Sequence, residues 1–317
     1  MSRFRWTLEE EMTAQAPPKV SIGLPVYNGE PFLVETLNSI LAQTFADFEL
    51  IICDNASEDG TQALCEQYAK RDVRIKYHRQ PRNLGAQANY DMSFEKARGT
   101  YFKWAAHDDL LAPTFLEECV SALDADPGCV LAHPLTVIID HNGREEWCFV
   151  SPRGLESDDP LERLATRFGG NFNAIFGLMR PEVMATTRLH GDFAYSDTCF
   201  LAEMALRGRV KIVQKPLFFS RAHSGSSLSA NSDPRDLAAW FAGERPKLTF
   251  PRTRQHWGWV QAVTRAPLGR RERLRGLGIV ARGAFRSRRK ILKEWMVPFF
   301  LNGRPTPIAR ALSNLRK

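Results

Sequence analysis

IICDNASEDGT at residues 51–61 and KWAAHDDL at residues 103–110 decide the architecture, because each places carboxylates directly after an apolar run that reads as a buried strand. An apolar strand ending in Asp is the pattern of an open α/β sheet, whose ligands bind beyond the carboxyl ends of the strands. Two such ends in one domain point to one shared cleft.

The same punctuation repeats on either side of these stretches. Residues 19–24 form an apolar run stopped by Pro25, and in PFLVETLNSILAQ (31–43) Phe32, Leu33, Thr36, Leu37, Ile40 and Leu41 recur at helical spacing. Pro31 suits a first helical turn. A strand over 48–53 turns through 54–57 into a helix over 58–70, with Ser57 expected as its N-cap. A strand at 75–78, a loop at 79–85, a helix at 86–97 and a strand at 101–105 come next. Pro113 then opens a helix, and the strand over 129–140 is expected to bulge at Pro134. Strands alternating with helices predict an α/β fold with a mostly parallel, right-handed sheet flanked by helices. Past Val150 the expected elements are helices at 160–168 and 198–207, extended segments at 210–213 and 217–220, and helices rich in Arg and Trp from 236 onward.

Charge divides the chain unevenly. Residues 241–317 hold 19 Lys and Arg against 3 Glu, while the whole chain carries +7, so the basicity belongs to the C-terminal part alone. The first 17 residues are polar and lack the apolar core of a secretory signal, and no uninterrupted apolar run is long enough to span a bilayer. The six cysteines show no CxxC pairing and are expected as reduced, mostly buried thiols. These features lead to an expected cytoplasmic location, with contact at the inner face of a membrane as an open alternative. A dinucleotide-binding spacing at Gly276, Gly278 and Ala281 is dismissed, because RRERLR precedes it instead of a strand.

Four blocks, LPVYNGEPFLVETLNSILAQTF, IICDNASEDGT, RNLGAQANY and WAAHDDLLAPTFL, resemble in order and spacing the catalytic domain of glycosyltransferase family 2. The resemblance implies a GT-A fold over residues 18–230, preceded by a polar tail (1–17) and followed by a basic helical extension (231–317). It implies a nucleotide-binding set of Pro25, Tyr27, Asn28, Asp54, Arg79, Asn83, Asn89, His107 and Arg221. An Asp at a strand end also has its own reason to sit there, since it can accept hydrogen bonds from the edge of a nucleobase. The alternative for Asp54 is capping of the turn before Ser57, and for Asp59 capping of the helix start.

The family's DxD-type motif falls on His107, Asp108 and Asp109, with Ala106 where the fuller pattern has an acid. Asp108 is the implied main ligand of Mg²⁺ or Mn²⁺, Asp109 assists or holds the loop, and His223 joins from FFSRAHSGSSLS (218–229), where Ser226 or Ser227 would meet phosphate. YSDTCFLAEMALRG (195–208) places the implied general base at Asp197, with Ser196 where a second carboxylate is usual. Asn173, Phe176 and Gly177 fall in the segment that shapes the acceptor side, although a core position suits Phe176 better.

The expected partners are a nucleotide-diphosphate sugar donor and a glycan or lipid-linked acceptor, in a metal-assisted inverting transfer. The alternatives are a sugar-phosphate nucleotidyltransferase, which lacks support because no Gly-rich basic loop follows the first strand, and a non-catalytic nucleotide-sugar-binding or scaffold protein. Basic residues interleaved with apolar ones over 265–293 suit an anionic membrane surface or a solvated helix. Nucleic acid is disfavoured, because the tail's aromatics form no stacking module.

Overall fold

The computed structural model describes residues 16–149, 154–167, 172–223, 234–243 and 249–300. Four parallel strands come first, in the order β3 (Ile75–Arg79), β2 (Phe48–Asp54), β1 (Val20–Val26), β4 (Tyr101–Trp104). The helices between them, α1 (Glu30–Leu41), α2 (Thr61–Arg71) and α3 (Ala86–Glu95), make the crossovers that parallel pairing requires. Every residue of β1, β2 and β4 is buried, as expected of strands covered on both faces.

The register aligns Val26 with Asp54 and Asp54 with Arg79, and it sets Gly23 against Trp104. The Asp54 end of β2 and the acidic loop after β4 therefore open on the same carboxyl edge. They are separated by β1, or about 10 Å at two strand spacings. Gly23 serves the packing here: a Cβ on it would lie 2.5 Å from Ser93 Oγ, so α3 can approach β1 only across a glycine.

The second half of the sheet is mixed. After β5 (Leu110–Leu111) and α4 (Phe115–Ala125), the long strand β6 (Cys129–Ile139) pairs antiparallel with β7 (Glu145–Phe149) and β8 (Leu178–Met179) and parallel with β9 (Arg209–Arg221). The β6–β9 register shifts at Pro134, the bulge expected from a residue that lacks an N–H donor. The two extended segments expected at 210–213 and 217–220 are one strand that absorbs those shifts. Helices α5 (Pro160–Arg167), α6 (Pro181–Met184) and α7 (Ser196–Arg207), with a short 3₁₀ turn at Phe172–Phe176, complete this half. α7 begins two residues before the expected 198, which brings Asp197 into its first turn.

The chain then adds α8 (Pro234–Ala242), α9 (Pro251–Arg265) and α10 (Arg270–Phe300). These helices pack onto the sheet domain. Trp259, Ala262, Val263 and Val280 share a buried cluster with Leu161 and Leu164 of α5 and Cys199, Ala202 and Leu206 of α7. All five buried cysteines and the exposed Cys148 are free thiols.

One local expectation fails. The helix after β2 starts at Thr61 and not at 58, and no side chain caps it. Ser57 instead lies in the preceding turn, where its N–H donates to Asp54 Oδ1 (2.8 Å) and its hydroxyl accepts from the Asn28 N–H (3.0 Å). Tying two loops together uses the hydroxyl that a cap would have needed.

Candidate active site

On the β2 side of the edge, Asp54 is fully buried and takes three donors. Oδ1 accepts from the Ser57 N–H, and Oδ2 accepts from the Tyr77 hydroxyl at 2.7 Å and lies 3.4 Å from Arg79 Nε. Arg79, partly exposed, also donates to the Ser57 carbonyl (2.9 Å). Asn28 holds the left-handed region at φ 51° and accepts the Glu58 N–H at 2.9 Å, which locks the β1–α1 loop to the β2–α2 loop. Just past β1, Tyr27 is half-buried and Asn28 exposed, and Pro25 is buried in the strand. Asp59 accepts from the N–H groups of Thr61, the first residue of α2, and of Glu30, the first of α1, so it ties the two helix starts together.

Asn83 and Asn89 act from beneath this edge. Asn83 Oδ1 accepts from Asn55 Nδ2 and from the Gly85 N–H, shaping the turn into α3. Gly85 sits at φ 85° with Gly243 N only 2.4 Å from where a Cβ would be, so the end of α8 closes directly over this turn. Asn89 is buried and donates to the Cys53 carbonyl (2.7 Å) and, at 3.4 Å, to the Val26 carbonyl, bracing β1 against β2, while its Oδ1 has no partner.

On the β4 side, Asp108 Oδ2 and His223 Nε2 lie 2.9 Å apart, and the His223 ring packs on Phe32 of α1 at 4.7 Å. Asp109 is buried, with Oδ1 accepting the Arg221 N–H at 2.9 Å. Burial, and after it the neighbouring Asp108 charge, pushes the Asp109 carboxyl well above the usual carboxylate range. His107 lies beside the β1–α1 loop, 3.0 Å from where a Cβ on Gly29 would stand. The Thr36 hydroxyl holds this loop from α1 through the carbonyls of His107 and Asp109, 2.9 Å each.

Arg221, expected in the nucleotide-binding set, has its side chain completely enclosed and its guanidinium committed to the protein. Nε donates to the Asp108 carbonyl (3.0 Å), one terminal nitrogen to the His141 carbonyl (3.1 Å) and the other to Glu35 (2.7 Å), with the plane over Phe32 at 4.7 Å. It clamps the acidic loop, the β6–β7 turn and α1 to one another. Ser226 and Ser227 lie outside the described residues.

The third element is the start of α7. Tyr195 holds φ 72° at the N-cap position, and Asp197 follows in the first turn, half-buried. Two residues of α9 support this turn. Arg252 stacks over the Tyr195 ring at 4.0 Å, and Gln255 donates to Thr198 Oγ1 at 2.9 Å. Burial first, and then the charges of Asp108, Asp109 and Asp197, raise the Tyr90 hydroxyl above its ordinary range. Phe176 packs against Phe218 at 5.6 Å as a core residue, and a Cβ on Gly177 would stand 2.7 Å from the Ala132 carbonyl oxygen.

Sequence reasoning missed Thr36, Tyr77, Tyr90, Gln255 and Glu35. Two of these left a signal. Thr36 is the polar member of the buried stripe Leu33, Thr36, Leu37, Ile40, and Tyr77 stands two residues before Arg79 on β3, hence on the same face.

The profile described as Glycosyl transferase family 2 matches residues 21–176. An uncharacterized glycosyltransferase of Rickettsia typhi is 31% identical over 146 residues, covering 46% of this chain and 44% of that protein. The putative glycosyltransferase EpsE of Bacillus subtilis is 39% identical over 108 residues, covering 34% of this chain and 39% of its own. The chain thus spans less than half the length of these relatives. Among solved structures, Staphylococcus aureus TarS 1-349 in complex with UDP superposes with a TM-score of 0.59 at 18% identity, covering 84% of this chain and 72% of that one. The same protein in complex with UDP-GlcNAc gives a TM-score of 0.60 at 17% identity, with the same coverage. The fold is that of the GT-A neighbours, and residues 21–176, from β1 to the 3₁₀ turn before β8, form a glycosyltransferase family 2 domain.

Proposed function

We propose that the protein is an inverting glycosyltransferase that moves a sugar from a nucleoside-diphosphate sugar to a hydroxyl of a glycan or lipid-linked acceptor. The observation that supports this reading is the parallel register, which opens the Asp54 end of β2 and the loop carrying the Asp108–His223 pair on one carboxyl edge. The TarS complexes with UDP and UDP-GlcNAc support a uridine nucleotide as the first donor to try.

In this reading Tyr27, Asn28, Asp54 and Arg79 hold the base and ribose, with Asn83 and Asn89 keeping the supporting turns in place. Asp54 is already held by Ser57, Tyr77 and Arg79, so its carboxylate is preorganised. Asp197 takes the proton from the acceptor hydroxyl as that oxygen attacks C1, and the nucleoside diphosphate departs from the opposite face of the sugar.

The donor set also suits Mg²⁺ or Mn²⁺. Asp108 and His223, whose Oδ2 and Nε2 lie 2.9 Å apart, are the side chains that would hold the ion. Among the described residues no three His, Cys, Asp or Glu side chains gather for a metal, so an ion held here would draw its other ligands from phosphate and water. Bound there, the ion would neutralise charge on the diphosphate leaving group. Asp109 keeps the loop in register through Arg221, and Ala106 takes the place of a further acid. A lipid-linked acceptor would bring the protein to an anionic membrane surface.

The test is isothermal titration with UDP and other nucleoside diphosphates, with and without Mn²⁺, followed by donor hydrolysis. Metal-dependent nucleotide binding, with hydrolysis lost in Asp197→Ala but binding retained, is the expected result. No binding by any nucleotide would remove the reading.

A further inference from the structure

We infer that one face of α10 (Arg270–Phe300) is a docking surface for an anionic phospholipid bilayer, with the helix lying along the headgroup boundary. This helix carries two apolar faces, and the fold uses only one of them. The inner face enters the protein at Val280, which is buried in the cluster with Leu161 and Val263, and at Gly276, where a Cβ would meet Val263 at 2.9 Å. Farther along, the Glu294 carboxylate accepts the N–H groups of Arg252 and Thr253 at the start of α9.

The second apolar face points to solvent. Leu274, Phe285, Leu292 and Met296 are 71%, 66%, 60% and 37% exposed. Their spacing puts them on a single line. Steps of eleven residues, Leu274 to Phe285 to Met296, rotate by only about 20° each, and Leu292 lies five full turns from Leu274. The line runs for about 33 Å at 1.5 Å per residue. Trp295, 55% exposed, borders it.

Beside this line runs a basic one: Arg271, Arg275, Arg282, Arg286, Arg289 and Lys293, all exposed. The helix has two acids, and both bond to backbone N–H groups at helix starts, Glu272 to Gly269 and Glu294 as above. Neither offsets the outward charge.

Charge selects the occupant. A second copy of this face would set one basic stripe against another, without the opposite-sign flanks that paired helices use. Nucleic acid would satisfy the arginines but leave the apolar line facing phosphates. An anionic bilayer satisfies both lines together, apolar side chains below the headgroups and guanidinium groups among them. No described helix is long and apolar enough to cross a membrane, so the contact is interfacial.

The inference is independent of the transferase reading, because the test needs neither donor nor acceptor. The full chain is floated with vesicles of phosphatidylcholine alone and of phosphatidylcholine with about one quarter phosphatidylglycerol, at low and high salt. Flotation only with the anionic vesicles, weakened by salt, is expected. Phe285→Ser with Leu292→Ser, and separately Arg282→Glu with Arg286→Glu, should each reduce it at least tenfold while circular dichroism stays that of the parent. Absence of flotation with anionic vesicles would overturn the proposal, as would variants that float like the parent. So would a concentration-dependent dimer in sedimentation velocity that Phe285→Ser abolishes, or RNA binding that survives the serine pair.

Discussion

Replacing Arg221 by Met should both loosen the fold and disable the acidic loop, because one enclosed guanidinium joins three segments. The side chain is wholly buried, and Met fills much of its aliphatic volume but supplies none of its donors. The Asp108 and His141 carbonyls each lose a charge-assisted bond, worth about 1.5–3 kcal/mol apiece. Glu35 is 58% exposed and recovers water, so its loss adds less than about 1 kcal/mol. The contact over Phe32 adds about 1 kcal/mol. Relief of the buried charge's desolvation offsets part of the sum, leaving a net loss of about 3 kcal/mol. That is a large fraction of the roughly 5–15 kcal/mol that holds a domain together, and it corresponds to a melting point lower by about 6 °C or more. Metal-dependent nucleotide binding should fall at least about tenfold, since the loop loses its clamp at the Asp108 carbonyl while the backbone bond from residue 221 to Asp109 remains. Urea titration and calorimetry with UDP and Mn²⁺ measure both effects, and Arg221→Lys should fall between parent and Met. A Met variant that melts within about 2 °C of the parent and binds nucleotide as tightly would refute the reasoning.

Asp108→Asn should leave the melting point nearly unchanged, because among the described residues the Asp108 side chain bonds only His223, yet remove the Mn²⁺ enhancement of nucleotide binding in calorimetry. Gln255→Ala removes one buried hydrogen bond from the start of α7, so donor hydrolysis should slow roughly fivefold, the equivalent of about 1 kcal/mol, with little change in nucleotide affinity. Burial pulls His133 down to about 3 and His190 to about 4, so both stay neutral in the fold while the unfolded chain takes up protons near 6.5. Their stabilising contribution is complete above pH 6.5 and is lost as pH falls from there towards 4 and 3. Urea titrations at several pH values should show this decline, and His190→Phe should flatten it.

The parallel half of the sheet was legible because β1, β2 and β4 are short, fully buried, mostly apolar runs, with Pro25 and Asp54 marking the ends of the first two, and the helices between them repeat at 3.6 residues. The second half was less so. β5 and β8 are two residues long, too short to show periodicity, and β7 is mostly exposed, so neither gives a buried pattern. β9 read as two segments because its shifts around Pro216 interrupt the alternation. The motifs single out Asp54, Asp108 and Asp197 as candidates, but not the side chains packed around them. Thr36, Glu35, Tyr77 and Gln255 come from distant parts of the chain, and their roles exist only once the elements pack. The same holds for Arg221, whose type suggested phosphate but whose enclosure by α1 and the β6–β7 turn assigns it to the scaffold. The extension read as a basic appendage, yet Gly243 closes over Gly85 and Arg252 stacks on Tyr195, contacts that charge counting does not reveal.

The central claim is that Asp54 and Asp108 serve one pocket holding an activated sugar nucleotide with a divalent ion. Crystals soaked with UDP and Mn²⁺ and measured at the manganese absorption edge test it most directly. The account predicts an anomalous peak within bonding distance of Asp108 and His223, with the diphosphate against it and the base over Asp54. A nucleotide bound elsewhere, or manganese away from Asp108 while the diphosphate occupies the cleft, would contradict it.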